Sequence, residues 1–180
     1  LFRSWGIPTV TGSLTGGAGG TVAGTITGTL TNPTNQSQTA TYMVTPVTGS
    51  CTGGVFSVTV TVNPKATIAD KTATICSSNS FSVIPSNGGS EIVPAGTLYN
   101  WTVSNNTNIT GQSAVGTYTN TIGQLLNNVT NSQKQIVYTA TPMSGNCTGS
   151  SFAITVTVDP TPIIGAKATP ICSEGTLDRK

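Results

Sequence analysis

Four cysteines are the residues of this sequence with the widest chemistry, because a thiol can bind metal, attack an electrophile or form a disulfide. Cys51, Cys76, Cys147 and Cys172 follow one another at intervals of 25, 71 and 25 residues. A zinc site needs close pairs of ligands, usually completed by histidine, and the chain has no histidine. A nucleophilic cysteine needs an adjacent base, which the sequence does not offer. The pattern favours disulfides formed in an oxidising compartment.

Charged residues are too few to support most other chemistry. The 180 residues include five carboxylates and seven cations, for a net charge of +2. This charge is too weak and dispersed for the basic surface that nucleic acid requires, and no apolar run reaches the length of a membrane span. We therefore expect no enzyme, cofactor, metal site, nucleic-acid partner or membrane insertion. An alternative is a cation site or interdomain contact that uses Asp70 or Asp159 near the junctions.

Aromatic residues and threonine ladders have a structural and a functional interpretation. An exposed Trp can stack on sugar, but one Trp per repeat makes a poor platform. We predict a core role for the aromatic residues Trp5, Trp101, Tyr42, Tyr138, Phe56 and Phe152. The ladders Thr59, Thr61 and Thr155, Thr157 are interpreted as solvent faces of strands, with an ice-binding array as the alternative. The residues that bind a ligand stay unknown.

A shift of 96 residues aligns the chain with itself. It places Trp5 on Trp101, Tyr42 on Tyr138, Cys51 on Cys147 and Cys76 on Cys172, and 13 of 23 positions from Tyr42 to Pro64 are identical to those from Tyr138 to Pro160. Internal repetition at this length indicates a tandem array. We predict the end of one repeat at 1–64 (the first unit), a complete repeat at 65–160 (the second unit) and the start of a third at 161–180. The first residues lack the pattern of a signal peptide, which fits a window on a longer exported protein.

Within the second unit, apolar residues alternate with Ala and Thr from Phe152 to Val158, which is the period of a strand with one buried face. Further strands are predicted at 81–84, 98–103 and 135–141, and the first unit repeats the alternation from Phe56 to Val62. Roughly seven short strands in about 95 residues are typical of an immunoglobulin-like sandwich. The fold class is therefore all-β: tandem immunoglobulin-like β-sandwich repeats with a period of 96 residues.

One segment could also form a helix, since Ile122, Leu125, Leu126 and Val129 have helical spacing. Its counterpart TITGTLTNPT contains Gly28, Pro33 and alternating Thr, which disfavour a helix. Because two copies of one unit should share a fold, we predict strands in both.

Repetition also restricts the disulfides, because every unit should be bridged alike. We predict a disulfide between Cys76 and Cys147 inside the second unit, with Cys51 and Cys172 paired outside this stretch. Closing a loop of about 70 residues would stabilise the unit by ~4 kcal/mol. The open alternative links Cys51 to Cys76 and Cys147 to Cys172, across each junction.

The segments ATICSSNSFSVIP, YNWTV and YTATPMSGNCTGSSFAITVTVDP carry a family resemblance. The chain resembles the PKD-like, immunoglobulin-like repeats of giant surface adhesins in Bacteroidota, which include SprB-type gliding adhesins. The resemblance implies export through type IX secretion and display on the outside of the outer membrane of a Gram-negative bacterium. The implied partners are neighbouring repeats, other copies of the filament, surface polysaccharide or substratum.

These observations predict a non-enzymatic repeat segment of a secreted surface filament, with a role in adhesion and gliding motility. The alternatives are a spacer or carbohydrate-binding module of a secreted hydrolase, and an ice-binding surface on the Thr ladders. The Pro residues after Val62 and Val158 predict stiff connectors between sandwiches aligned end to end.

Overall fold

The computed structural model describes residues 2–23 and 25–165, and every regular element in them is a strand. The first unit has eight strands: β1 (Phe2–Trp5), β2 (Thr9–Val10), β3 (Thr15–Gly16), β4 (Gly20–Ala23), β5 (Leu30–Thr31), β6 (Gln38–Thr48), β7 (Cys51–Thr52) and β8 (Phe56–Val62). The second unit has nine: β9 (Lys71–Cys76), β10 (Asn79–Val83), β11 (Leu98–Val103), β12 (Ile109–Thr110), β13 (Val115–Thr119), β14 (Ile122–Asn128), β15 (Lys134–Ser144), β16 (Cys147–Thr148) and β17 (Phe152–Asp159). The all-β prediction is confirmed.

The second unit is a sandwich of two sheets. The larger sheet has the order β13-β11-β15-β17-β9 with β16 paired to β15, and the smaller has the order β10-β14-β12. All its pairs are antiparallel except β17 with β9, which is parallel. The buried side chains Phe81, Tyr99, Trp101, Tyr138 and Phe152 lie between the sheets. The alternation of β17 is complete, since its even-numbered residues are buried and its odd-numbered residues are half-buried.

The first unit repeats only part of this arrangement. Its larger sheet has the order β2-β6-β1-β4, with β7 and β8 paired to β6, and its smaller sheet contains β3 and β5. The core consists of Trp5, Leu14, Ala40, Tyr42 and Val44. No sheet in the described residues includes strands of both units, so each unit has its own core.

The ambiguous segment of the second unit is a strand, because β14 spans Ile122–Asn128 and pairs with β10 and β12. The same prediction is largely wrong for the first unit, where only Leu30 and Thr31 of TITGTLTNPT are in a strand. The physical reason is the partner strand. A shift of 96 places the counterpart of β10 before Leu1, so this segment lacks the partner that β10 provides for β14, and only the short β5 pairs, with β3.

Phe56 contradicts its predicted core role for the same reason. Its side chain is 43% exposed, whereas the equivalent Phe152 is 3% exposed. Phe152 packs edge to face on Tyr99, with ring centroids 6.3 Å apart, and the counterpart of Tyr99 in the first unit is Arg3. The strands β9 and β10, which complete the second unit, have no counterpart beside Phe56. The benzyl group therefore lies on an open face.

Candidate functional site

The junction between the two units is the candidate functional site, because it combines a proline connector, loops of both units and a cysteine hairpin. A cavity of about 450 Å³ lies between the end of the first unit and two loops of the second. Asn63 and Pro64 line it from the first unit, and Ser144 and Gly145 line it from the second. In the hairpin that joins β15 to β16, Ser144 is the cross-strand partner of Cys147. The junction therefore brings the end of β8 to the cysteine hairpin of the next unit.

The opposite end of the second unit carries an equivalent surface. A cavity of about 850 Å³ is lined there by Ser77, Ser78, residues 127–131 and residues 160–163. Cys76 precedes these serines and pairs in register with Asp159. Ile163 in the connector is 93% exposed. The first unit presents the equivalent loop and proline connector to the junction cavity.

The disulfide predicted between Cys76 and Cys147 is wrong for the described structure, in which both thiols are free. Val158 pairs with Lys134, the first residue of β15. Cys76 pairs with the next residue of β17, Asp159, and so lies just beyond the start of β15. Cys147 pairs with Ser144 at the end of the same strand. Eleven positions along the strand separate the two levels by about 36 Å, whereas disulfide Cα atoms lie within about 7 Å.

The alternative link from Cys51 to Cys76 is also wrong. Cys51 is free and pairs with Thr48 in the first unit's hairpin, the equivalent of the hairpin that holds Cys147. It lies at the end of the first unit that faces away from the junction, while Cys76 lies at the far end of the second unit. Cys172 lies outside the described residues, as do the charged residues from Lys167 to Lys180.

The two predicted core tryptophans are buried, Trp5 at 8% and Trp101 at 5% exposure. The indole N–H of Trp5 donates to the Ala18 carbonyl at 2.8 Å, and that of Trp101 donates to the Ser113 carbonyl at 3.1 Å. Neither ring is available as a stacking platform for sugar. The indoles instead hold a loop of each unit against its main sheet.

The two tyrosines are buried as well. Tyr42 is 5% exposed and Tyr138 is fully buried. The Tyr138 hydroxyl donates to Gln124 Oε1 at 3.0 Å, and its ring lies 5.0 Å from that of Phe81. Burial raises the pKa of Tyr138 to about 12, so the group stays neutral and is suited to packing rather than proton transfer.

Asn32 and Asn128 were not singled out by the sequence analysis, yet they form the same polar clamp in both units. The Asn128 amide donates to the carbonyls of Ser132 and Val158, both at 2.8 Å, and its Oδ1 accepts from the Thr130 N–H and hydroxyl. Asn32 makes the equivalent bonds to Gln36, Val62 and Thr34. The signal that could have revealed them is Asn-x-Thr recurring at an interval of 96.

The carboxylates near the junctions do not form a shared cation site. Asp70 accepts from the Ala153 N–H at 2.7 Å, and Asp159 accepts from Gln133 Nε2 at 2.7 Å. They lie at opposite ends of β9. Among the described residues, no group of three or more His, Cys, Asp or Glu is placed to hold a metal ion.

One ion pair ties β9 to the loop before β11. Lys71 Nζ lies 2.6 Å from Glu91 Oε1, which also accepts from the Ala69 N–H at 2.9 Å. The Lys71 hydrogen bond is the main cause that lowers the pKa of Glu91 below its ordinary value of 4.5, with partial burial opposing it. The pair fixes the start of β9 rather than forming a reactive group.

The threonines of the first unit form a grid of two rows across three strands, with β6 as the central column: Thr9, Thr41 and Thr59 in one row, and Thr11, Thr39 and Thr61 in the other. Thr41 pairs with Thr9 and Thr59 across neighbouring strands, and its hydroxyl lies 3.3 Å from that of Thr59. In the second unit, the central column instead contains Gln135 and Val137 beside Thr157 and Thr155. The grid is therefore not a repeated feature, which disfavours an ice-binding surface.

Among the residues that the structure describes, there is no helix that could span a membrane.

Comparison with known proteins gives one family. The PKD-like domain family matches residues 4–66 and 73–162, one match in each unit. Among curated proteins, none matches this sequence. Among solved structures, mouse clustered PcdhgC3 EC1-3 matches with 17% identity and a TM-score of 0.33. The match covers 70% of this chain and 44% of the other, so this chain spans less than half of that length.

Proposed function

The chain belongs to the PKD-like domain family, and we propose that it is a non-enzymatic, structural and adhesive repeat segment of a large secreted filament on the surface of a Gram-negative bacterium. The observation that carries the proposal is the junction. The end of the first unit, at Asn63 and Pro64, faces the Ser144–Gly145 hairpin of the second. A repeat whose end meets the start of the next can be added many times, which lets a filament span distance.

The distribution of polar groups supports a mechanical role. The buried polar residues Ser77, Thr97, Asn128 and Ser144 belong to turns and strand ends, and the polar contacts of Asn128 are to backbone and loop groups of its own unit. These bonds stabilise the loops of the unit. A sandwich of this kind resists unfolding and proteolysis outside the cell.

The finer proposal is display at the cell exterior after type IX secretion, in an adhesin of the gliding type. Its support is the resemblance of the Cys, Trp, Tyr and terminal Val-Asn/Asp-Pro positions to such adhesins. The ligands proposed are surface polysaccharide, the substratum or other copies of the filament.

The test uses antibodies raised against this chain on intact cells of the bacterium that produces it. We expect surface labelling that protease treatment of whole cells removes, and loss of cell attachment when the gene is deleted. Labelling only after lysis would overturn the surface assignment. A catalytic domain in the same gene, with normal attachment after deletion, would favour the spacer of a secreted hydrolase.

A further inference from the structure

The first unit has an open groove along β8. Phe56 and Val60 are 43% and 37% exposed, and the only described strand that pairs with β8 is β6. Beside this strand, a cavity of about 570 Å³ is lined by Arg3, Thr25, Ile26, Phe56 and Val58. An apolar face next to an unpaired strand edge is a template for strand addition.

The second unit shows which sequence fills the equivalent groove. There β9 pairs in parallel with β17, the counterpart of β8, and the next strand, β10, pairs with β14. Phe81 of β10 is 3% exposed and packs on Tyr138. The occupant that fits the first unit is therefore a strand pair of this type, KTATIC followed by NSFSV. The shift of 96 places its natural position upstream of Leu1.

The register of that strand decides where its cysteine lies. Cys76 is paired with Asp159, and the Ser77 N–H donates to the Asp159 carbonyl at 2.8 Å. The counterpart of Asp159 in the first unit is Asn63. A strand of the same type along β8 therefore places its cysteine beside Asn63.

Asn63 lies at the junction with the second unit. It lines the same cavity as Ser144 and Gly145, and Ser144 is the cross-strand partner of Cys147. Cross-strand partners have Cα atoms about 4.5 to 5.5 Å apart. Cys147 is half-buried and its thiol is free. Two cysteines of neighbouring sandwiches would then approach each other at one junction.

We propose that Cys147 forms a disulfide with the cysteine of the strand that completes the preceding sandwich, so that a covalent bond crosses the junction between repeats. This inference rests on the proposed tandem arrangement. By the same geometry, Cys76 pairs with the cysteine 96 positions beyond Cys147. Each repeat is then linked to both neighbours, and none is bridged within itself.

The bond forms by thiol–disulfide exchange. One thiol, as its thiolate, attacks a small disulfide oxidant such as oxidised glutathione and releases one reduced thiol. The second protein thiol then displaces the other half of the oxidant. The two protein thiols lose two protons and two electrons in total, and the oxidant gains them as two glutathione thiols.

The test extends the chain at its N-terminus with a copy of residues 65–96, which supplies the missing strand pair in register. The extended chain is refolded in a glutathione redox buffer and mapped by non-reducing peptide analysis. We expect the added cysteine to be joined to Cys147, and Cys51 and Cys76 to remain open to alkylation. Cys147→Ser should free the added thiol, whereas the matched variant Cys51→Ser should leave the link intact.

Two readouts separate the steps of the argument. Completion of the groove should raise the unfolding midpoint of the first unit, and a peptide of residues 66–85 should bind the unextended chain in trans. If neither stabilisation nor peptide binding is observed, both the groove and the link are overturned. If the first unit is stabilised or the peptide binds, but the added cysteine stays free or is joined to Cys51, only the disulfide link is overturned. Both results are obtained in vitro, so they are independent of surface display.

Discussion

Asn128 is the residue at which a single amide connects three parts of the second unit. Its four hydrogen bonds join the end of β14 to the following turn and to the last residues of β17. The side chain is 6% exposed, so water cannot replace these partners. The recurrence of the clamp at Asn32 explains why both units keep Asn-x-Thr where the surrounding sequence differs.

Asn128→Ala should lower the free energy of unfolding of the second unit by about 2 to 4 kcal/mol, because it leaves the buried Val158 carbonyl without its donor and removes the bonds to the following turn. Chemical denaturation of the full chain measures this change. Asn105→Ala, at an exposed loop position, is the matched control and should change stability by less than about 0.5 kcal/mol. Equal effects of the two substitutions would contradict the clamp.

Glu91 makes stability depend on pH in acid. Because the Lys71 hydrogen bond lowers its pKa in the folded state, the unfolded chain binds the proton more readily. The contribution of the pair is therefore present above about pH 4.5 and is lost as the pH falls through the folded pKa.

Glu91→Gln should lower stability at pH 7 by at most about 1 kcal/mol, because ion pairs near the surface contribute little. The difference from the parent chain should shrink toward zero as the pH approaches 2, where Glu91 is protonated in both states. Urea denaturation at a series of pH values measures it. A difference that stays constant with pH would show that the carboxylate charge is not involved.

At the scale of the element, one glycine in each unit allows two short strands to approach each other closely. Gly111 has φ of +90° after β12, and Gly16 has φ of +88° in β3. A Cβ on either residue would meet a backbone carbonyl, that of Leu125 or of Thr29. Both the conformation and the space require glycine, and the two positions are related by 95 rather than 96 residues.

Gly111→Ala should destabilise the second unit by about 1 to 3 kcal/mol, through strain at positive φ and the clash with the Leu125 carbonyl. Gly116→Ala is the control, because a Cβ there meets nothing within 4 Å. Thermal unfolding of both variants measures the contrast. A loss of stability at Gly116 as large as that at Gly111 would point to a general cost of replacing glycine in these strands.

At the scale of the whole molecule, the junction should make the chain elongated. The hairpin end of β15 faces the first unit, and the other end of this 11-residue strand, about 36 Å long, points away from it. Two sandwiches joined in this way should give a maximum dimension of at least about 70 Å in small-angle scattering. A value near 50 Å would mean that the units fold back on each other, and the filament proposal would lose its mechanical basis.

The sequence alone determined the all-β class and the repeat, because alternation along a strand and identity at a 96-residue shift are local properties of the chain. It also predicted correctly that the recurring aromatic side chains of the repeat lie in the cores, with the exception of Phe56, which is exposed. It could not decide contacts between distant positions. Cys76 and Cys147 belong to one repeat but lie at opposite ends of a strand, which only the parallel pairing of β9 with β17 reveals. Likewise, Phe56 matches Phe152 in sequence, and its burial depends on whether neighbouring strands are present to cover it.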